Sequence, residues 1–260
     1  MPDRVAFVSN VRQFAGPGTS AALLADGFLV VCHDRAFADP ERRAHFAAQH
    51  PDLDVLADQE PDAAVASAIA KHGRLDVVVT NDLIFSSMYG EPPEPAEPGE
   101  AVFRPTALED ASVEEFRATL EALTVRPFAV CRAALPTLKA QGGGIIIFIT
   151  AGMHNRANPQ LQMGSAARTA ATNLAQSLAV DAGPRGVQVF AIGPAWFQNP
   201  TYFPDVHREQ FMPIVERDVP LRRLGTQEEM GALVSFLASG RAAPLTGSFL
   251  PFVGGLMVGT

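Results

Sequence analysis

The sequence predicts an α/β protein, a single doubly wound Rossmann-like domain over residues 1–260. Its parallel sheet has about seven strands, with helices on both faces. Three observations carry this. Apolar strand-like stretches alternate with longer Ala-rich helical ones, the order of βαβ units. The runs "VVV" (77–79) and "IIIFI" (145–149) are continuously apolar, as strands covered on both sides must be. Finally, 47% of the 260 residues are hydrophobic, which supplies a sizeable core.

The elements follow in order. "VAFVSN" (5–10) is an apolar strand that runs through a turn into the Ala- and Leu-rich helix "GTSAALLADG" (18–27). The strand "FLVVCHD" (28–34), the helix "PERRAHFAAQH" (40–50) and a short strand near "DVLAD" (54–58) come next. The helix "PDAAVASAIAKHG" (61–73) then leads into the strand "LDVVVTND" (75–82). A helix over about 112–140 precedes the strand "GIIIFITA" (144–151), and another over about 164–182 precedes "VQVFAIGPA" (187–195). "TQEEMGALVSFLAS" (226–239) is the last helix and "GSFLPFVGG" (247–255) the last strand. Two stretches interrupt the rhythm. "YGEPPEPAEPGEAVFRP" (89–105) reads as a solvated loop. "PAWFQNPTYFPDVHREQF" (194–211) is a long aromatic loop after a parallel strand, where such loops either border the ligand crevice or simply anchor themselves.

Composition narrows the function. A formal charge of -8 argues against nucleic acid as a partner, because phosphate binding needs a positive field. No apolar run approaches the length of a bilayer span, and the N-terminus lacks a secretory pattern, so a cytoplasmic protein is expected. Cys32 and Cys131 fall in core segments and suggest neither a disulfide nor a metal site.

The first turn raises the functional question. A dinucleotide-binding turn needs glycine where the backbone passes a pyrophosphate, yet "VRQFAGPG" places Phe14 ahead of Gly16 and Gly18. Phe14 either obstructs the cofactor or packs in the core while the glycines still receive one, with Asp34 as a ribose-binding acid.

"VSNVRQFAGPG", "VVTNDLIF", "EALTVRPFAV", "IIFIT", "AARTAATNLAQSLA", "FAIGP", "NPTYFP" and "VPLRRLGTQEEMGALVSFLAS" occur in an order and spacing that cover nearly the whole chain. Together they resemble the short-chain dehydrogenase/reductase superfamily, and within it the halohydrin dehalogenases. That resemblance implies a cofactor-independent carbon–halogen lyase acting on a vicinal haloalcohol or an epoxide together with halide or another small anion. It implies a homotetramer built on the helices over 112–140 and 164–182. Phe14 then fills the nicotinamide space beside an anion site. Pro194, Trp196 and Phe197 match the segment whose backbone lines that site, and Tyr202 matches an aromatic of the same loop. In the family a Ser and a Tyr hold the substrate oxygen, an Arg four residues after the Tyr lowers the phenol pKa, and an acid supports the Arg.

Arg168 and Asp82 match the last two positions. The serine position is Ala151 and the tyrosine position is Gly164, so both hydroxyls are missing. Dehalogenase activity is therefore expected to be impaired or redirected. The alternatives are a pocket repurposed, by drift or by design, for different chemistry, and a non-catalytic ligand-binding member of the fold. Arg168 stays protonated and cannot serve as a base. Asp82 is expected to pair with Arg168, which would hold its pKa low. His154 is either a substitute base or an exposed loop histidine. No metal is expected.

Overall fold

A computed structural model of the chain describes residues 4–58, 60–86, 102–103, 105–152 and 160–256. Seven strands form one parallel sheet: β1 (Val5–Val8), β2 (Leu29–Cys32), β3 (Leu53–Val55), β4 (Val77–Thr80), β5 (Gly144–Ile149), β6 (Val187–Pro194) and β7 (Phe249–Phe252). Their order is β3-β2-β1-β4-β5-β6-β7. The helices are α1 (Gly16–Ala25), α2 (Pro40–Gln49), α3 (Pro61–His72), α4 (Val113–Leu120), α5 (Arg126–Ala140), α6 (Gln162–Ala182), α7 (Arg208–Asp218) and α8 (Gln227–Ala238). This is the Rossmann-like α/β architecture that the alternating pattern predicts.

Because side chains alternate along a strand, the apolar runs feed two separate cores. Ala6, Val8, Ile145, Ile147 and Ile149 pack with Leu23 of α1 and Met230, Val234 and Leu237 of α8. Val5, Phe7, Ile146 and Phe148 pack with Ala64 and Val65 of α3, Val130 and Leu138 of α5, and Ala175 and Ala179 of α6. Burying each of the larger side chains contributes roughly 2 kcal/mol. Cys32 lies in the first core and Cys131 in the second, both as free thiols, and burial raises the pKa of each.

The helix expected over 112–140 is α4 and α5 joined by a π turn at Glu121–Val125. A Ser112–Glu115 capping box starts it. The wide turn turns Thr124 toward α6, where its Oγ1 donates to the Ala167 carbonyl at 3.0 Å.

Two features depart from expectation. α7 begins inside the stretch read as a loop over 194–211, and buries Phe211 and Val215 while its other faces stay charged. Pro213 lies within it and disguised the helical period. Phe85–Ser86 also pairs with Val102–Phe103, which brings the two ends of the Pro/Glu-rich stretch together; most of 89–105 lies outside the described residues. Among the described residues no helix is long and apolar enough to cross a membrane.

Candidate active site

In an open parallel sheet a crevice forms beyond the C-terminal strand ends, where the strand order reverses. Here that point lies between β1 and β4. The first turn leaves β1 there, and Asn81 and Asp82 leave β4 beside it.

The turn is strained. Asn10 and Phe14 have φ of 47° and 48°, in the left-handed region. Asn tolerates that region; a bulky aromatic at φ > 0 is an outlier, costing roughly 1–3 kcal/mol unless its surroundings impose it. They do impose it. Asn81 Nδ2 donates to the carbonyls of Asn10 (3.0 Å) and Gln13 (2.9 Å), and its Oδ1 accepts from Ala15 N–H (3.1 Å). Phe14 N–H donates to Thr201 Oγ1 (3.0 Å), whose own hydroxyl donates to Gln13 Oε1 (2.9 Å). Gln227 Nε2 donates to the Phe14 carbonyl at 2.7 Å.

The same bonds saturate the turn. Along 11–19 the N–H groups of Val11, Arg12, Gln13, Phe14 and Ala15 go to the His33 carbonyl, Asp34 Oδ2, the Asn10 carbonyl, Thr201 and Asn81. Gly16 donates to the Gln13 carbonyl, Gly18 to Gln227 Oε1 at 2.9 Å and Thr19 to the Ala15 carbonyl, while Pro17 has no N–H. Each backbone donor that a pyrophosphate would need already has an acceptor. Gly18 is glycine for another reason: a Cβ there would overlap the Gln227 carbonyl. Asp34, the candidate ribose acid, accepts from Arg12 and Ala36 N–H and lies 3.9 Å from the Arg12 guanidinium.

Phe14, Phe197, Tyr202 and Arg168 come together. The Phe14 ring lies edge-on to Phe197 (5.7 Å between centroids) and Tyr202 (5.1 Å), and Arg168 Cζ is 5.7 Å from its centroid. Such ring pairs contribute about 1 kcal/mol each beyond the area they bury, and the cation over the face adds a comparable amount. Tyr202 Oη accepts from Ile84 N–H at 3.3 Å, and Asn199 Oδ1 accepts from both Thr201 and Tyr202 N–H, which shapes the loop.

Arg168 is 5% exposed; its guanidinium donates to the carbonyls of Ile149 (2.9 Å) and Asp82 (2.7 Å). It therefore joins the ends of β5 and β4. The expected pairing with the Asp82 carboxyl is not made. Both Asp82 carboxyl oxygens are buried without a hydrogen-bond partner. Burial pushes this group up to about 7, against the opposing pull of Arg168 and Arg126. The expectation of a low pKa is thus overturned, because desolvation outweighs charges that never reach hydrogen-bonding distance. Ala151 follows β5 and is half-buried; Gly164 is buried in the first turn of α6 on the face that carries Arg168. His154 lies outside the described residues.

The wall divides. Pro194 ends β6, in register with Phe252. Trp196 stacks on Phe203 (4.9 Å) in a separate cluster around Phe211 and Val215, apart from Phe14. In this segment Ala195 N–H donates to the Phe252 carbonyl and Gln198 N–H to the Gly225 carbonyl, so neither is available to an anion. Sequence reasoning missed Asn81, Thr201 and Gln227, which hold the site together. The one local signal was an amide or hydroxyl side chain beside each recognised motif ("TND", "NPTYF", "GTQ").

Residues 99–257 match the family model described as enoyl-(acyl carrier protein) reductase. A solved structure titled as a dehalogenation enzyme is 33% identical, with 98% of each chain covered and a TM-score of 0.86. A halohydrin dehalogenase bound to ethyl (2S)-oxiran-2-ylacetate is 32% identical, with the same coverage and a TM-score of 0.87. A trans-4-hydroxycyclohexanecarboxylate dehydrogenase from Sinomonas cyclohexanicum is 29% identical over 99% of this chain and 94% of its own length.

Proposed function

This chain belongs to the short-chain dehydrogenase/reductase family, and within it we propose a cofactor-independent lyase of the halohydrin dehalogenase type. The reaction converts a vicinal haloalcohol to an epoxide and halide, and in reverse opens an epoxide with a small anion. The observation that carries the reading is the saturated first turn. A dinucleotide finds no spare backbone donor there, and Phe14 with Tyr202 fills the adjoining space. The full-length likeness to two dehalogenating proteins supports it.

In the displacement the substrate oxygen attacks the neighbouring carbon as the carbon–halogen bond breaks. The halide leaves with the bonding electron pair, and the hydroxyl proton passes to a base. Arg168 remains cationic and supplies the positive potential that favours an alkoxide. With both family hydroxyls missing and no exposed carboxyl among the described residues of the site, the proton passes to solvent base. Asp82, buried behind Arg168 with its pKa pushed up to about 7, acts only through the field at that cation. Phe14, Phe197 and Tyr202 exclude water from the departing anion. Ala151 and Gly164 occupy the serine and tyrosine positions, so the rate is low or the chemistry redirected.

Exposed apolar side chains on α4, α5 and α6 (Val113, Phe128 and Val180) support assembly as a homotetramer through these helices. A monomer mass by light scattering at micromolar concentration overturns that part.

Incubation with a chromogenic haloalcohol, and with an epoxide plus azide, tests the function. Halide release or azidoalcohol formation above the buffer rate, lost in Arg168→Met, is the expected outcome. Absence of both favours the alternative of a non-catalytic ligand-binding member, to which the two missing hydroxyls also point.

A further inference from the structure

Gln227 is the first residue of α8, a helix whose start is fixed by a Thr226–Glu229 capping box. α8 crosses α1 closely: a Cβ on Gly231 would overlap the Gly18 carbonyl, and one on Gly18 would overlap the Gln227 carbonyl. At that separation the Gln227 carboxamide reaches across the helix pair. Its Oε1 accepts from Gly18 N–H (2.9 Å), and its Nε2 donates to the carbonyls of Phe14 (2.7 Å) and Gln198 (3.0 Å). One side chain therefore joins the start of α1, the strained residue of the first turn and the 198–203 loop.

We propose that Gln227 is a positioning residue that serves as an internal ligand of the first turn. It keeps Phe14 in its left-handed conformation beside Arg168 and ties the turn to the wall loop. The proposal rests on the reading of this region as the active site.

The chemistry of the position allows few replacements. Gly18 N–H lies in the first turn of α1, where the helix field favours an acceptor. The Phe14 and Gln198 carbonyls require donors. A carboxamide provides both; an ionised carboxylate in the same place satisfies Gly18 but sets its second oxygen against two carbonyl oxygens. The neighbouring Glu229 does not confuse this, because its hydrogen bonds with Arg223 hold it down to about 2.

Hydrogen exchange read by mass spectrometry on the wild type, Gln227→Met and Gln227→Glu tests the clamp independently of turnover. In Gln227→Met the amides of 11–19 should exchange at least about tenfold faster than wild type, the scale of a lost hydrogen bond, with β5 unchanged. Gln227→Glu, compared with wild type at each pH, should resemble the Met variant at about pH 8 and approach wild type at about pH 4, below the ordinary glutamate value of about 4.3, where a protonated carboxyl donates again. If wild type turns over haloalcohol, KM for the anion in the reverse reaction should follow the same order. Unchanged protection of 11–19 in the Met variant, or equal protection of the Glu variant at both pH values, overturns the proposal. Should the Met variant not fold, the two pH values of the Glu variant decide it. A wild type without turnover sinks the functional reading, and the exchange data still decide the clamp.

Discussion

The two halves of the crevice are built on opposite principles. On the β1 side every backbone N–H of 11–19 has an acceptor, and Asn81, Thr201 and Gln227 meet this stretch with donors and acceptors in the right order. Toward β5 and α6, the Asp82 carboxyl at the end of β4 is buried with no hydrogen-bond partner, and Ala151 and Gly164 bring no hydroxyl. A matched network rigidifies, whereas an unmatched buried group shifts its pKa and keeps capacity for a proton. The difference teaches where chemistry can occur. On the proposed function, the β1 side serves as a wall and the Arg168–Asp82 side as the reactive face.

The sharpest way to break this contrast is to supply what the reactive face lacks. Ala151→Ser with Gly164→Tyr should raise haloalcohol dehalogenation by about 10² or more, the usual scale for a positioned base. Gly164→Tyr alone should recover part of the gain. In the doubly restored protein Arg168→Ala should move the optimum to higher pH, since the phenol loses the cation that lowers its pKa. A restored protein of the same oligomeric state with no gain would remove the assigned register.

The matched side is probed by Asn81→Ala, which strips the acceptor from Ala15 and the donors from Asn10 and Gln13. The Ala15 N–H loses its acceptor while the Asn10 and Gln13 carbonyls each keep one backbone bond, so urea unfolding should show a loss of roughly 1–3 kcal/mol. A loss near zero would mean the turn holds itself.

Asp82→Asn sharpens the other side. Folding raises this carboxyl to about 7 from an unfolded value of about 3.9, so the folded state binds its proton more tightly. The resulting stabilisation is complete below the unfolded value and disappears as pH rises through about 7, by about 1.4 kcal/mol per pH unit. Asparagine cannot titrate, so the stability difference, variant minus wild type, should grow across that window and level off above it. A difference independent of pH would show that Asp82 is ionised throughout.

The smallest expected effect is none at all. Titration with NAD(H) or NADP(H) should leave the melting temperature and Trp196 fluorescence unchanged, because the turn has no free donor. A saturable response at micromolar cofactor would reopen the β1 side.

The sequence by itself determined the layered α/β fold and singled out residues of the candidate site. Strand and helix periods are local, so "IIIFI" and the Ala-rich α6 are legible without neighbours, and Phe14 and Arg168 sit in recognisable local strings. α7 was hidden because Pro213 broke its period while burial of Phe211 and Val215 restored it. Only the tertiary structure decided how the two sides of the crevice are satisfied. Asn81, Thr201 and Gln227 lie 66, 187 and 209 positions from their partners in the first turn, and no local pattern encodes such bonds. The state of Asp82 was decided in the same way. The resemblance and the residue types suggest a charge pair with Arg168, but burial and the direction of the Arg168 guanidinium, both set by packing between β4, β5 and α6, leave the carboxyl without a hydrogen-bond partner.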